Sequence, residues 1–476
     1  MDMYDDRKAR PFNLALLSYV ALTIAGVEGG CAQAPPDLTV TRANILDTRT
    51  GRVAKDRTVV IIDGFISEIL GPDREPPRFG RILDAEGGLV TPGLVDVHGH
   101  LAYVLGDSVS AGGGYITHLD TSPDSLAAYR SRYASAYLPY GVTTVRDAGS
   151  TESDLFLLST WTAQRPDFPN FFPSGGALVS PEEGRATFPG HVVVHDPENA
   201  RAKVRDYHER GFGQLKLYWR LREPEFRAAL DEAGRLGMRV TGHVDFHVLS
   251  FTRAADLGLR SFEHAYTVGV GAMTDAEYQQ LWQEHVPAVY GDRRNGLFHL
   301  AMTEVFNQLG PGNPEVLALI TMLAETGSSV STSLHIFAQQ VGAAPFHLNT
   351  GTSFDDVSGL TDAQEARARR GYELMADYVR HMYEAGVRLT LAPDWLEPGR
   401  TLLSEMVLLH RAGIPMADVF RIATMNGARA LGLEDRGTVE PGAKADLVIF
   451  KGNPLEDPDA LFGPRVVVKD GRVVEH

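Results

Sequence analysis

The sequence predicts an α/β chain, a (β/α)8 TIM barrel with a small β-sandwich domain built from both termini. Two observations predict it. Between residues 91 and 436, short apolar strands alternate with helix-periodic segments, the pattern of strand–crossover–strand units around a parallel sheet. Outside that stretch lie β-branched runs broken at Asp63-Gly64 and Asp470-Gly471, and neither end carries enough strands to bury a face alone. The divisions that follow are a leader at 1–34, sandwich pieces at 35–90 and 437–476, and a barrel at 91–436.

At 476 residues the chain is long enough for a large core plus a second unit, and 43% apolar with 22% charged residues is ordinary for a globular protein. A net charge of −16 without a long basic cluster argues against nucleic acid and against polybasic binding to anionic lipid. The ligand expected is a small molecule. The oligomeric state is left open, a homo-oligomer being one option.

The first 34 residues stand apart. Phe12 to Val27 is mostly apolar, follows Arg7, Lys8 and Arg10, and is too short to span a bilayer comfortably, so it reads as a signal-peptide core. Asp2, Asp5 and Asp6 offset the basic start. The single cysteine, Cys31, falls where a bacterial lipoprotein would be acylated, and Ala32-Gln33-Ala34 offers a small-x-small cleavage site instead. Export is the expectation, as a periplasmic protein or as a lipoprotein anchored at Cys31, with no integral span in the mature chain. A lone cysteine forms no internal disulfide.

Next come Leu38 to Thr41, Thr58 to Ile62 and Phe65 to Leu70, with the Asp63-Gly64 turn between the last two. Eight strands are then expected near Val95, Val142–Val145, Phe171-Phe172, Leu215–Leu217, Arg239–Thr241, Ser261-Phe262, Ser329–Ser331 and Arg388–Leu391. Leu126, Tyr129, Tyr133 and Tyr137 share a helical face, and Phe226, Leu230, Ala233 and Leu236 repeat the spacing up to Gly237. Thr274-x-x-Glu277 and Thr361-x-x-Gln364 predict capping boxes. The long gaps near 103–122, 179–197 and 338–360 are candidate loops over the active face. Strands return at Asp446 to Phe450, Arg465 to Val468 and Arg472 to Val474.

Chemistry begins at Thr91-Pro-Gly-Leu-Val-Asp-Val-His-Gly-His100. Alternation along a strand sends His98 and His100 to one face, and two imidazoles at a strand end suit zinc. Downstream, Lys216 lies between Leu215 and Leu217, while His243, His264 and Asp394 each follow a strand. In a barrel all of these strand ends open on one mouth.

This ordered set resembles the amidohydrolase superfamily of metal-dependent hydrolases, in its imidazolonepropionase-like and prolidase-like branch. The matching stretches are Asp96-Val-His-Gly-His100, Lys216, His243, His264 and Asp394, with Gly141 to Asp147 as the second strand. Gly88 to Asp96 and Gly437 to Val448 carry it into the terminal pieces, so it spans about residue 38 to the C-terminus. Ala392-Pro393-Asp394 departs from the Gly-Thr-Asp or Gly-Ser-Asp common there. The resemblance implies two zinc ions. One is held by His98, His100 and Asp394, the other by His243 and His264, and carboxylated Lys216 bridges them. It further implies that metal-activated hydroxide cleaves an amide or peptide-type C–N bond, with Asp394 as the catalytic proton carrier.

Plainer readings stand beside these. Lys216 could be an ordinary strand-end lysine in a mononuclear site, and His243 or His264 alone could be a buried, satisfied histidine. His335 faces the mouth by position and is a candidate substrate contact. Tyr218 and Arg220 are two more, since arginine offers a carboxylate a bidentate fork, although Arg220 could equally pair with Glu223 or Glu225. His118, His191, His195, His247, His299 and His347 are expected mostly on the surface or in loops. The leading function is hydrolysis of a dipeptide or N-acyl amino acid. Alternatives are a lactone, carbamate or phosphotriester hydrolase on the same site, or a non-catalytic barrel used for binding.

Overall fold

Asp63 and Gly64 both take positive φ (51° and 75°), as a two-residue type I′ turn requires, and join Val53–Ile62 to Phe65–Leu70. Asp470 and Gly471 repeat the turn (47° and 75°) between Arg465–Lys469 and Arg472–Val473. The two hairpin tips pack together, and a Cβ on Gly64 would stand 3.2 Å from the Asp470 carbonyl oxygen. These observations come from a computed structural model that describes residues 37–78, 80–109, 115–181, 190–244, 248–348 and 356–475. The expected leader at 1–34, with Cys31, lies outside the described residues.

Both ends of the chain enter one eight-stranded sheet. Its join is Leu447–Phe450, which runs antiparallel to Leu89–Pro92 from Leu447 opposite Pro92 to Phe450 opposite Leu89. Val40, Val59, Ile61, Val90, Leu447, Ile449 and Val468 form one apolar cluster there, each buried. The Leu89–Pro92 strand passes through Gly93 directly into Leu94–Gly99, which carries His98. The terminal sheet therefore fixes where the first site strand begins.

Every expected strand of the middle is present, within a residue or two of its predicted limits. Two parallel sheets hold them. Asn170–Pro173, Val142–Asp147 and Leu94–Gly99 make the smaller one. The larger runs His191–Val193, Ala177–Val179, Gln214–Leu217, Arg239–Gly242, Ser261–Phe262, Ser329–Ser331 and Arg388–Thr390. Ala177–Val179 and His191–Val193 were not foreseen. The sheets approach each other where Val97 N–H donates to the Leu391 carbonyl at 3.0 Å, just past the last strand. Because the strands are parallel, all their C-terminal ends lie on one side.

Helices cover the strands as the apolar periodicity requires. Pro123–Tyr137 buries Tyr133 and Tyr137. Glu223–Arg235 buries Phe226 and Ala233 and stops before Gly237, at φ 72°. Both predicted capping boxes form, at Thr274 with Glu277 and at Thr361 with Gln364. Among the described residues no helix is long and apolar enough to cross a membrane.

Candidate metal centre

The site is assembled from strand ends. His98 and His100 close Leu94–Gly99, Lys216 lies within Gln214–Leu217, His243 follows Gly242, and His264 follows Ser261–Phe262 by one residue. Asp394 comes four residues after Arg388–Thr390. Gly99 is required between the two histidines, since a Cβ there would lie 2.6 Å from the Tyr137 hydroxyl oxygen.

His98, His100 and Asp394 offer ligand atoms that all lie within 4.8 Å of one another. Asp394 Oδ1 is 3.2 Å from His100 Nε2 and 3.7 Å from His98 Nε2, while Oδ2 is 3.8 Å from His264 Nε2. His243 stands next to His264 with ring centroids 4.9 Å apart. Five of the six residues singled out from sequence as metal ligands, all but Lys216, are thus placed as neighbours at one strand-end face by these distances.

Three of the imidazoles have their tautomer set by what faces Nδ1. His98 Nδ1 lies 2.6 Å from Glu263 Oε2, and His100 Nδ1 lies 2.9 Å from the Gly149 carbonyl oxygen. Both partners accept only, so each Nδ1 carries the hydrogen and each Nε2 keeps a free lone pair. His264 Nδ1 is 3.0 Å from Ser333 Oγ, whose own hydrogen goes to the Ala392 carbonyl at 2.9 Å. Its Nε2 is likewise free. His243 differs: Nδ1 is buried without a hydrogen-bond partner, and Nε2 is 3.5 Å from the Tyr266 hydroxyl.

Lys216 is 1% exposed and its Nζ has no hydrogen-bond partner. Burial brings its pKa down to about 8, with nearby Glu263 opposing the shift. Burial pushes Asp394 up, but the imidazoles of His98, His100 and His264 outweigh it and hold the carboxyl below the usual range. Burial lowers His264 to about 3 and His243 well below its ordinary value, so both stay neutral, as ligands must. His264, Ser333 and Asp394 all sit at positive φ (65°, 52° and 47°). Left-handed backbone at three non-glycine residues around one centre is strain that the surrounding structure holds in place.

Sequence reasoning passed over Glu263 and Arg146. Glu263 is fully buried and accepts from His98, from Arg146 Nη2 at 2.5 Å, from Ser331 Oγ at 2.6 Å and from Thr241 Oγ1. Arg146 Nε donates to the Val97 carbonyl at 2.6 Å. For Glu263 the available signal was a charged residue directly between a strand and His264, and for Arg146 a charged residue inside the apolar run Val142–Asp147.

The candidate substrate residues are placed as follows. Tyr218 lies edge-on to His243 with centroids 5.0 Å apart, and Lys216 Nζ is 5.9 Å from its ring. Arg220 is buried with its guanidinium 5.5 Å from the Trp219 ring. Glu223 pairs with Arg227 and Arg253, and Glu225 with Arg222, so these carboxylates are engaged elsewhere. His335 is fully buried, with Nδ1 2.7 Å from Ser404 Oγ and Nε2 without a partner. Its contacts lie on helix Pro398–Arg411 and Phe346, outside the His98–His100–Asp394 group.

Two histidines expected on the surface or in loops lie in regular elements instead, half-buried His191 in the strand His191–Val193 and His299 in the helix Leu297–Leu309. His191 packs on Tyr218 at 4.6 Å, and His299 is buried with its ring 6.2 Å from that of Trp395. His118 is exposed beside Asp107, and His247 lies outside the described residues. Aromatic rings border the centre: Tyr103 lies 5.3 Å from His100 and 6.4 Å from Trp395, and Tyr266 stacks on His264 at 5.5 Å.

Residues 320–474 match the model of the amidohydrolase family. Along 437 residues the chain is 25% identical to an imidazolonepropionase of Salinispora arenicola, covering 86% of this chain and 89% of that one. The fold is similar to a prolidase solved with N-methylphosphonate-L-proline (22% identity, TM-score 0.64, covering 92% of this chain and 99% of that one). It is also similar to a Xaa-Pro dipeptidase solved with methionine in its active site (21% identity, TM-score 0.63, covering 92% and 100%).

Proposed function

We propose that this chain, matched by the amidohydrolase family model over residues 320–474 and similar along most of its length to an imidazolonepropionase, is a hydrolase of carbon–nitrogen bonds that cleaves the amide of a small substrate, a dipeptide or N-acyl amino acid, at a two-zinc centre. The observation that carries the reading is the convergence of free Nε2 atoms from His98, His100 and His264 on Asp394, with two buried, unpartnered nitrogens beside them, Lys216 Nζ and His243 Nδ1. Leaving such atoms unsatisfied is costly, and a metal centre would satisfy them. In this reading His98, His100 and Asp394 hold one ion, and His243 with His264 the other. Lys216, as a carbamate, would supply an anionic ligand beside them. A lysine pKa of about 8 supports this, because roughly a tenth of the amine is then neutral near pH 7 and able to take up carbon dioxide. We also read the two parallel sheets as one interrupted (β/α)8 barrel, and the terminal sheet as folded into a sandwich.

When bound, the zinc ions would polarise the scissile carbonyl and acidify the attacking water. Asp394, close to three imidazoles, is placed to hold a proton from an attacking water and would deliver it to the leaving nitrogen as the C–N bond breaks. Tyr218, edge-on to His243, and Arg220 orient the substrate, the Arg220 guanidinium taking the substrate's carboxylate, whereas His335 is buried away from this group. Tyr103, Trp395 and Tyr266 favour an apolar or aromatic group beside the amide.

The test is a zinc titration of metal-depleted protein, followed by assay of the loaded protein on dipeptides and N-acyl amino acids. About two zinc equivalents and release of a free amine are expected. No zinc uptake, or turnover restricted to esters and phosphotriesters, overturns the proposal.

A further inference from the structure

We propose that Glu263 is a positioning residue for the metal centre, which sets the tautomer of His98 and so decides whether that strand can bind zinc. The inference rests on the metal-centre reading above and adds a residue to which nothing else has assigned a role.

Each Glu263 oxygen faces two donors. Oε2 accepts from His98 Nδ1 and Ser331 Oγ, both at 2.6 Å, and Oε1 accepts from Arg146 Nη2 at 2.5 Å and from Thr241 Oγ1. An ionised carboxylate has about four lone-pair sites, so this one is saturated. Arg146 Nη2, at 2.5 Å, is its counter-ion and holds it as an acceptor. A saturated acceptor leaves His98 one choice: Nδ1 carries the hydrogen, and Nε2 turns its lone pair toward Asp394.

The carboxylate also gathers parts far apart in sequence. His98, Arg146, Thr241 and Ser331 come from four strands, and Glu263 follows a fifth. Arg146 offsets its charge and donates through Nε to Val97, the residue before His98. A neutral pair can orient a ligand without adding net negative charge beside Asp394 and the proposed carbamate.

Glu263→Gln separates positioning from packing, because it keeps the shape but offers acceptor sites on one atom only. The Arg146 guanidinium can only be met by an acceptor, so the amide oxygen turns to the Arg146 side, where Thr241 also donates, and the NH2 turns to His98 and Ser331. His98 Nδ1 must then accept, its proton moves to Nε2, and the metal-facing lone pair is lost. Zinc affinity, read by chelator competition, should fall ~10–100-fold. Thr241→Val removes a donor from the same carboxylate without touching His98 or His264. It should keep zinc affinity within about 3-fold while lowering the melting temperature.

A Glu263→Gln variant with native zinc affinity, or equal losses in both variants, overturns the inference. Should Glu263→Gln fail to fold, nitrogen NMR of 15N-histidine-labelled, zinc-free native protein tests it directly, with His98 assigned by its loss in His98→Asn. A proton on His98 Nδ1 is expected, and a proton on Nε2 contradicts the inference. Failure of the native protein to take up any zinc would count against the metal-centre reading instead.

Discussion

Asp394 illustrates how one residue's environment divides its work. Three imidazoles keep it ionised despite burial, and a left-handed backbone at φ 47° turns it toward them. Asp394→Asn should keep the fold and part of the zinc while turnover falls ~10²–10⁴-fold, since an amide is a poor proton acceptor. Near-native turnover in a steady-state assay would remove Asp394 from the mechanism. Glu405 makes a second prediction. Burial pushes its carboxyl from an ordinary 4.5 up to about 7, against bonds from Thr332 Oγ1 and the His335 amide. Between those values the folded chain keeps a proton that the unfolded chain has lost, so this group's stability falls as pH rises. Burial lowers His335 from 6.5 to about 3, so its stability is complete above 6.5 and falls as pH drops toward 3. The two slopes oppose each other between 4.5 and 6.5. Glu405→Gln abolishes the first, so the variant should gain stability relative to the native chain from about pH 4.5 to about pH 7. Urea denaturation at both ends of that window measures it, and a pH-independent difference would contradict the assignment. The convergence of His98, His100, His264 and Asp394 was legible in sequence because each falls at or just after a strand end, and the ends of parallel strands lie on one side. Glu263 and Arg146 were not, because each is tolerated in the interior only through partners from distant strands, and no local pattern records those.

At the scale of elements, local chemistry gave dependable signals. Thr361 accepts from the Gln364 amide, and the Gln364 side chain returns to Thr361 N–H at 2.9 Å, opening the 23-residue helix Asp362–Glu384. Thr361→Ala removes half of that box and should lower unfolding free energy by ~1 kcal/mol, measurable by denaturant titration. No change would mean that tertiary packing alone fixes the helix start. The strands of the middle were readable because short β-branched and apolar runs bounded by breakers have few alternatives here. Ala177–Val179 and His191–Val193 are no shorter than Ser329–Ser331, but they flank and enter the stretch near 179–197 expected to be a loop, and the structure corrects that expectation by pairing the two as parallel strands. They also complicate the third expected strand, since Asn170–Pro173 pairs with Val142–Asp147 whereas Ala177–Val179 pairs toward Gln214–Leu217.

Across the whole molecule, the two ends of the chain depend on each other. Leu447–Phe450 covers Leu89–Pro92, which leads through Gly93 into the strand of His98 and His100. Deleting residues 445–476 should expose Val90 and its apolar neighbours and yield aggregated protein without zinc. A truncated chain that stays monomeric with an unchanged melting temperature would show that the ends are independent. The Asp-Gly turns made this sharing legible, since each end plainly held hairpins too few to stand alone. The central claim is that this strand-end face holds two zinc ions joined through a modified Lys216. Anomalous diffraction at the zinc edge, from crystals grown with zinc and bicarbonate, tests it most directly. The account predicts one peak among His98, His100 and Asp394, a second beside His243 and His264, and density extending from Lys216 Nζ between them. A single peak at His98, His100 and Asp394 with a bare Lys216 amine would contradict it.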